Sequence, residues 1–197
     1  MNLENFHSVV KKAVRSSAHP APGYDASLNS ASVIALFSFT ESPLLLFIQK
    51  ADKQGYPWRG QMAFPGGHTE PGDGSRRETA LRELFEEMGI LRENVDLVGS
   101  IGRFLTINHT EIKAFAGFWN RRDRIVHDPS EISRVVEIPV KHLFLTHLER
   151  EYHQREAGIH ELTYPYGEFV IWGVTAKIIH HLMEIIRARL NEPFSAW

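Results

Sequence analysis

Apolar residues fall along the chain with two different periods. From Leu3 to Arg15 they recur at Leu3, Phe6, Val9, Val10, Ala13 and Val14, the three-to-four spacing of an amphipathic helix. Ser16 to Ser30 is rich in Pro, Gly and Ser and predicts a linker that leaves this helix packed on the rest of the molecule. Ser32 to Phe39 and Leu44 to Lys50 are near-continuous apolar runs joined by Thr40-Glu41-Ser42-Pro43, which predicts a hairpin of two strands buried on both faces. Val95 to Leu105 and Ile112 to Trp119 predict two further strands around a loop at Thr106 to Glu111. A strand running from Glu131 into Pro139 is followed by a short helix or turn to Leu148, for which the proline suits a first helical position. Glu149 to Tyr166 predicts a polar hairpin or loop. Val174, Ile178, Leu182, Ile185 and Ile186 share one face of a closing helix that ends at Asn191 and Pro193. Strands and helices alternate irregularly, so a mixed sheet between helical layers is expected.

One stretch departs from pure packing logic. Ser75 followed three residues later by Glu78 forms a capping box, and Gly89 stands where a left-handed stop belongs, so a helix of about three and a half turns is expected from Arg76. Leu81, Leu84, Phe85 and Met88 occupy its core side, while Glu83, Glu86 and Glu87 share the opposite face. Like charges three and four residues apart repel by a few tenths of a kcal/mol per pair, and a divalent cation reverses that sign. Oxygen donors without cysteine or histidine suit a hard ion, Mg²⁺ or Mn²⁺, that also binds substrate phosphates. A strand ending in Gly66 and Gly67 precedes the helix; two glycines let backbone approach a ligand closely, and a carbonyl near Gly67 can join the carboxylates.

Composition narrows the class without naming it. The chain has 197 residues, a formal net charge of −2 and no cysteine. That length suits one domain of ordinary size, and the near-balanced charge implies no bulk attraction to nucleic acid or membrane. Disulfides, thiolate metal sites and cysteine nucleophiles are excluded. No apolar run reaches the roughly 18 residues of a membrane span, and no signal-peptide core opens the sequence, so a cytoplasmic protein is expected. Residues 1–30 are read as helix and linker, 31–191 as the main domain and 192–197 as a tail.

The segment from Gly66 to Ile90 resembles the Nudix box. Arg82, Glu83, Leu84, Glu86, Glu87, Gly89 and Ile90 match its helical half residue for residue. The loop half differs: Gly67, five residues, Asp73, eight residues and Arg82 replace the usual glycine, five residues, glutamate, seven residues and arginine. The resemblance implies an α/β fold, a Nudix α/β/α sandwich with a mixed sheet, and metal-dependent water attack on a pyrophosphate. It makes Glu83, Glu86 and Glu87, with Gly67, the expected ligands of Mg²⁺ or Mn²⁺, and gives Arg82 the task of orienting a box glutamate. Glu83 is one candidate proton acceptor; among loop acids Glu131 ranks ahead of Glu111 and Glu168. His68 and His109 are expected in loops bordering the cleft.

A narrower resemblance joins Gly60–Gly67 (GQMAFPGG), the extra residue in the box, Glu131–Phe144 and Tyr166–Ile179. Together they resemble the coenzyme A diphosphatase branch, which implies cleavage of coenzyme A or acyl-coenzyme A to 3′,5′-ADP and a 4′-phosphopantetheine product. That branch usually carries an arginine-serine pair and a later histidine where this chain reads Ala51-Asp52 and Trp58. Lys50, Lys53 and Arg59 are the alternative sources of positive charge. Trp58, Arg59, Gln61, Phe64, Gly66 and Gly67 form the candidate substrate-binding set, the aromatics as stacking surfaces for a base. The partner is then a small nucleotide, with no nucleic acid or membrane, and Nudix hydrolases are often homodimers. Hydrolysis of ADP-ribose, NADH, a nucleotide sugar or a nucleoside triphosphate is the alternative, and a non-catalytic nucleotide-binding regulator the second.

Overall fold

The computed structural model describes residues 2–23, 25, 27–52, 59–153, 158 and 161–190. Trp58, Lys53 and the tail lie outside the described residues. Alternation along the strands sorts the core into two halves. Strand β1 (Asn29–Phe39) pairs antiparallel with β2 (Pro43–Lys50), Leu36 opposite Leu46. Val33, Ala35, Phe37, Leu45 and Phe47 face one side, and Ile34, Leu36, Leu46 and Ile48 the other. Both sides are covered, as the apolar runs require. On its far edge β1 runs parallel to β6 (Thr110–Trp119), which pairs antiparallel with β5 (Val95–Leu105). Strand β7 (Ile132–Pro139) pairs antiparallel with β2. The sheet is therefore mixed.

Helices close both faces. Helix α1 (Leu3–Ser16) buries Phe6, Val10, Ala13 and Val14, with the Phe6 ring edge-on to Phe37 at 5.3 Å. It shares that face with α3 (Val140–Glu149), which follows directly on Pro139, and α4 (Gly173–Arg187). Helix α2 (Arg76–Met88) covers the other face alone among the described helices. The outcome is the expected three-layer sandwich. A separate hairpin of β8 (Thr163–Tyr166) and β9 (Phe169–Trp172) starts only at the end of the stretch from Glu149 to Tyr166 where a polar hairpin or loop was expected, runs beyond it, and buries Tyr164 and Ile171.

The sheet splays where the site forms. Residues 36–39 of β1 pair with β2, whereas 31–33 pair with the short β4 (Gly66–His68). Likewise the end of β2 pairs with β3 (Met62–Ala63) at Ile48 and Gln49. The segment from Met62 to His68 thus crosses from β2 to β1, and the carbonyl of Pro65 accepts from the Ile34 N–H at 3.0 Å. This crossing delivers two glycines against α2.

Helix α2 starts and stops where the sequence indicates. The Ser75 hydroxyl accepts from the Glu78 N–H, and Gly89 adopts φ +68° with its N–H donating to the Phe85 carbonyl at 2.8 Å. Only half of the capping box forms, because the Glu78 carboxylate takes Arg92 at 2.7 and 2.8 Å instead. Two face assignments need correction. Phe85 is 51% exposed and Glu87 is buried. The buried stripe centres on Leu84, and at about 100° per residue Glu87 lies only about 60° around the axis from it, while Phe85 lies about 100° away. Glu83 and Glu87 consequently turn into the groove beside β4, while Glu86 stays exposed at its rim.

Candidate active site

Two glycines define the floor. Gly66 has φ +145°, and a Cβ there would stand 2.2 Å from the Ser32 carbonyl oxygen. Its N–H donates to Glu87 Oε2 at 2.8 Å. A Cβ on Gly67 would stand 2.5 Å from both Glu83 carboxylate oxygens, so the missing side chain is the space the carboxylate uses.

Each box carboxylate already faces a cation from the chain. Arg82 donates to Glu83 Oε1 at 3.0 Å and Glu86 Oε2 at 2.7 Å. Its Nε and Nη2 donate to the two oxygens of Asp73 at 3.0 and 3.1 Å, and Nη2 also reaches the His68 carbonyl. Asp73 further accepts from Thr79 Oγ1 and the Glu70 N–H, both at 2.9 Å. These bonds, the Arg82 pair first, hold the Asp73 carboxyl well below its usual range, and the same pair holds the Arg82 proton more tightly than usual. The shortened, displaced acid of the loop is thus an orienting clamp. Glu87 is served by Lys50, whose Nζ lies 2.6 Å from Oε1. Burial, reinforced by the Glu87 charge against the pull of Arg82, pushes the Glu83 carboxyl above its usual range.

A cleft of about 700 Å³ collects these groups. Glu70 and, from α2, Glu83, Glu86 and Glu87 line it together with Glu131, and Val33, Phe64, Ile112, Val174 and Ile178, which pack with the half of the core opposite α2, form its apolar lining; these two sets are its acidic end and its apolar arm. Gln61, Gly66, Gly67 and His68 also line it. Several expected residues stand elsewhere. Arg59 is exposed and pairs with Asp52 at 3.6 Å, outside the cleft lining. Phe64 lines the cleft but is 2% exposed and stacked on Phe47 at 4.8 Å, which makes it a wall of the arm and leaves no open face for a base. Glu111 is committed to Arg103 at 3.0 Å and Arg76 at 3.6 Å, and Glu168 to Arg134 at 2.6 Å, so of the three loop acids Glu131 alone reaches the cleft. His109 is not in its lining either.

The donor set suits a hard divalent ion: glutamate oxygens, glycine backbone and a carboxyl destabilised as an anion by burial and by its neighbour. Among the described residues no three His, Asp or Glu side chains converge as a ready-made cage; Arg82 and Lys50 are bonded to the glutamates. The clamp of Asp73 carries no sequence signal beyond a position in the loop; Arg76, which donates to Ser32 Oγ at 2.9 Å and to the Ala31 and Glu111 carbonyls, carries none.

The NUDIX domain family model matches residues 27–162. The uncharacterized Nudix hydrolase NudL of Pectobacterium atrosepticum is 32% identical over 157 residues, 78% of this chain and 80% of the relative. NudL of Yersinia enterocolitica is 29% identical over 170 residues, 84% and 86% of the two chains. Among solved structures, the NUDIX domain of Shewanella oneidensis NrtR complexed with ADP ribose is similar over 92% of this chain and 96% of its own, with a TM-score of 0.53 and 13% identity. A MutT/nudix family protein from Enterococcus faecalis is similar over 89% and 72%, with a TM-score of 0.51 and 15% identity. At those identities the structural likeness is one of fold.

Proposed function

This chain belongs to the NUDIX domain family and is a Nudix pyrophosphohydrolase acting on nucleoside diphosphate derivatives; from that premise we propose that its substrate is coenzyme A or an acyl-coenzyme A, cleaved to 3′,5′-ADP and a 4′-phosphopantetheine product. The observation that carries this reading is the two-ended cleft, acidic at Glu83, Glu86 and Glu87 and apolar from Val33 to Ile178. A diphosphate at the acidic end leaves the arm for a long, largely uncharged substituent such as pantetheine.

Glu83, Glu86 and Glu87, with backbone at Gly67, hold the divalent ion, Mg²⁺ or Mn²⁺. When bound, the ion neutralises the diphosphate and makes water a better nucleophile. Arg82, fixed by Asp73, keeps Glu83 and Glu86 aimed at that end. Glu131 takes the proton of the attacking water at its carboxylate: it lines the cleft, it is exposed, and it makes no ion pair with a described residue.

One observation favours the second reading, a nucleoside diphosphate derivative without a 3′-phosphate, such as ADP-ribose, NADH or a nucleotide sugar. Lys50 is the single Lys or Arg among the described residues lining the cleft, and it is engaged with Glu87. Product chromatography with coenzyme A, dephospho-coenzyme A, ADP-ribose, NADH and a nucleotide sugar, each with Mg²⁺ and Mn²⁺, separates the two. Coenzyme A cleaved faster than its dephospho form is the expected result; ADP-ribose or a sugar nucleotide in the lead overturns the coenzyme A assignment. Glu86→Gln should lower turnover of whichever substrate leads by about 10² or more, the scale of losing one preorganised charged group; an unchanged rate removes Glu86 from the site.

A further inference from the structure

Lys50 stands at the last residue of β2, where the pairing with β7 slips: Gln49 opposes Arg134 but Lys50 opposes Ile132. Its backbone is fixed on both sides, the N–H donating to the Gln61 carbonyl at 2.9 Å and the carbonyl accepting from the Gly60 N–H at 3.0 Å. The bulge turns the side chain into the cleft, where it is 17% exposed and Nζ lies 2.6 Å from Glu87 Oε1. Glu87 is more deeply buried, at 6%, and its other oxygen takes the Gly66 N–H. Among the described residues Glu87 is the one hydrogen-bond partner of this ammonium, so two of its three donors have no acceptor among them.

A divalent ion on Glu87 competes with the ammonium at its Oε1, since two cations at contact distance in a partly buried site repel; Arg82 is anchored by Asp73, whereas Lys50 has no second side-chain partner among the described residues. Lysine is suited to yielding: its charge is compact and rides on a flexible four-carbon stem. Besides the carboxylate of Glu131 in the same cleft, the substrate brings a displaced ammonium one further anion, its diphosphate. We propose that Lys50 is a displaceable counter-ion that neutralises Glu87 in the ion-free protein and, released when the divalent ion takes Glu87, becomes the positioning cation for the substrate diphosphate. Ion binding and diphosphate binding are then coupled through one side chain, and each strengthens the other by the same factor. The inference rests on the ion being held by Glu83, Glu86 and Glu87, and is independent of which nucleotide is cleaved.

The test needs no turnover. Limited acetylation of the full chain with acetic anhydride, read at Lys50 by peptide mass spectrometry, is compared with no addition, with Mn²⁺, and with Mn²⁺ plus α,β-methylene-ADP, whose bridge resists hydrolysis. Labelling should rise several-fold with Mn²⁺ and fall again when the diphosphate analogue is added. Calorimetric Mn²⁺ titration of Lys50→Met should show about five- to tenfold tighter ion binding, within the ordinary range of coupling, and the analogue should no longer tighten it. Lys50→Arg should retain the coupling. If Mn²⁺ binds the unaltered chain but leaves Lys50 labelling unchanged or lower, the counter-ion role is overturned while the metal site stands. If Mn²⁺ does not bind, both fall. Should Lys50→Met fail to fold, the labelling series on the unaltered chain decides alone.

Discussion

Asp73 illustrates how much one residue's surroundings decide. The loop carries an aspartate where a glutamate is usual, displaced by one position, yet its two oxygens accept from Arg82, Thr79 and the Glu70 N–H. Those bonds lower its pKa from the ordinary 3.8, which fixes the sign of its pH dependence. A carboxyl held below its unfolded value contributes stability that is complete above that value and fades as pH falls through the folded one. Asp73→Asn should therefore unfold at lower urea concentration than the unaltered chain near neutral pH, and the difference should shrink once pH drops below 3.8. Urea midpoints across an acid series check this; a difference that stays constant through the acid range means that the charge of Asp73 is not what holds the clamp. Mn²⁺ affinity should fall in the same variant, because Arg82 loses the partner that orients it toward Glu83 and Glu86.

At the scale of elements, the crossing from β3 to β4 assigns different tasks to adjacent glycines. A methyl at Gly66 meets backbone, 2.2 Å from the Ser32 oxygen and 2.7 Å from the Val33 Cα, at a φ that L residues rarely adopt. The nearest atoms to a methyl at Gly67 all belong to the far end of the Glu83 side chain, which can swing aside. Gly66→Ala should thus break the β1–β4 pairing and destabilise the fold by well over the roughly 1–3 kcal/mol of a strained backbone alone. Gly67→Ala should unfold close to the unaltered chain but bind Mn²⁺ more weakly and turn over slowly. Thermal unfolding beside Mn²⁺ titration separates the two, and equal stability losses would mean that Gly67 serves the turn rather than Glu83. The glycine pair and the ends of α2 were legible in the sequence, because Ser75, Gly66, Gly67 and Gly89 are residue types that local backbone geometry demands. The direction of Phe85 was not, since helical periodicity fixes which residues share a face but not where the stripe centre falls against a splayed sheet.

Across the whole molecule, the two halves of the core divide the work. The glutamates ride on α2 over one face, while α1, α3 and α4 seal the other around Phe37, Phe47 and Phe118. That far side contains its own buried polar network, His147 bonded to Tyr164 Oη and Glu184 Oε1, both at 2.9 Å, with burial pushing the nearby His181 down to about 4. The β1–β2 hairpin, the β5 and β6 strands and the layering followed from apolar runs and turn residues, which act locally, whereas the order of strands in the sheet did not. Contacts such as Arg76 with Ser32, or Lys50 with Glu87, join segments 44 and 37 residues apart and leave no local pattern to read. The division predicts that stability and site chemistry separate. Phe6 is fully buried, edge-on to Phe37 at 5.3 Å and Phe118 at 6.1 Å, so Phe6→Ala removes a large side chain with little room to collapse and should cost about 3–5 kcal/mol. None of its ring partners touches the acidic end of the cleft. Mn²⁺ affinity of the folded variant should accordingly match that of the unaltered chain, with the whole loss appearing in the denaturant midpoint. If Mn²⁺ binding weakens in step with stability, α1 and the site form one cooperative unit, and the sheet transmits packing from its helical face to the glutamates.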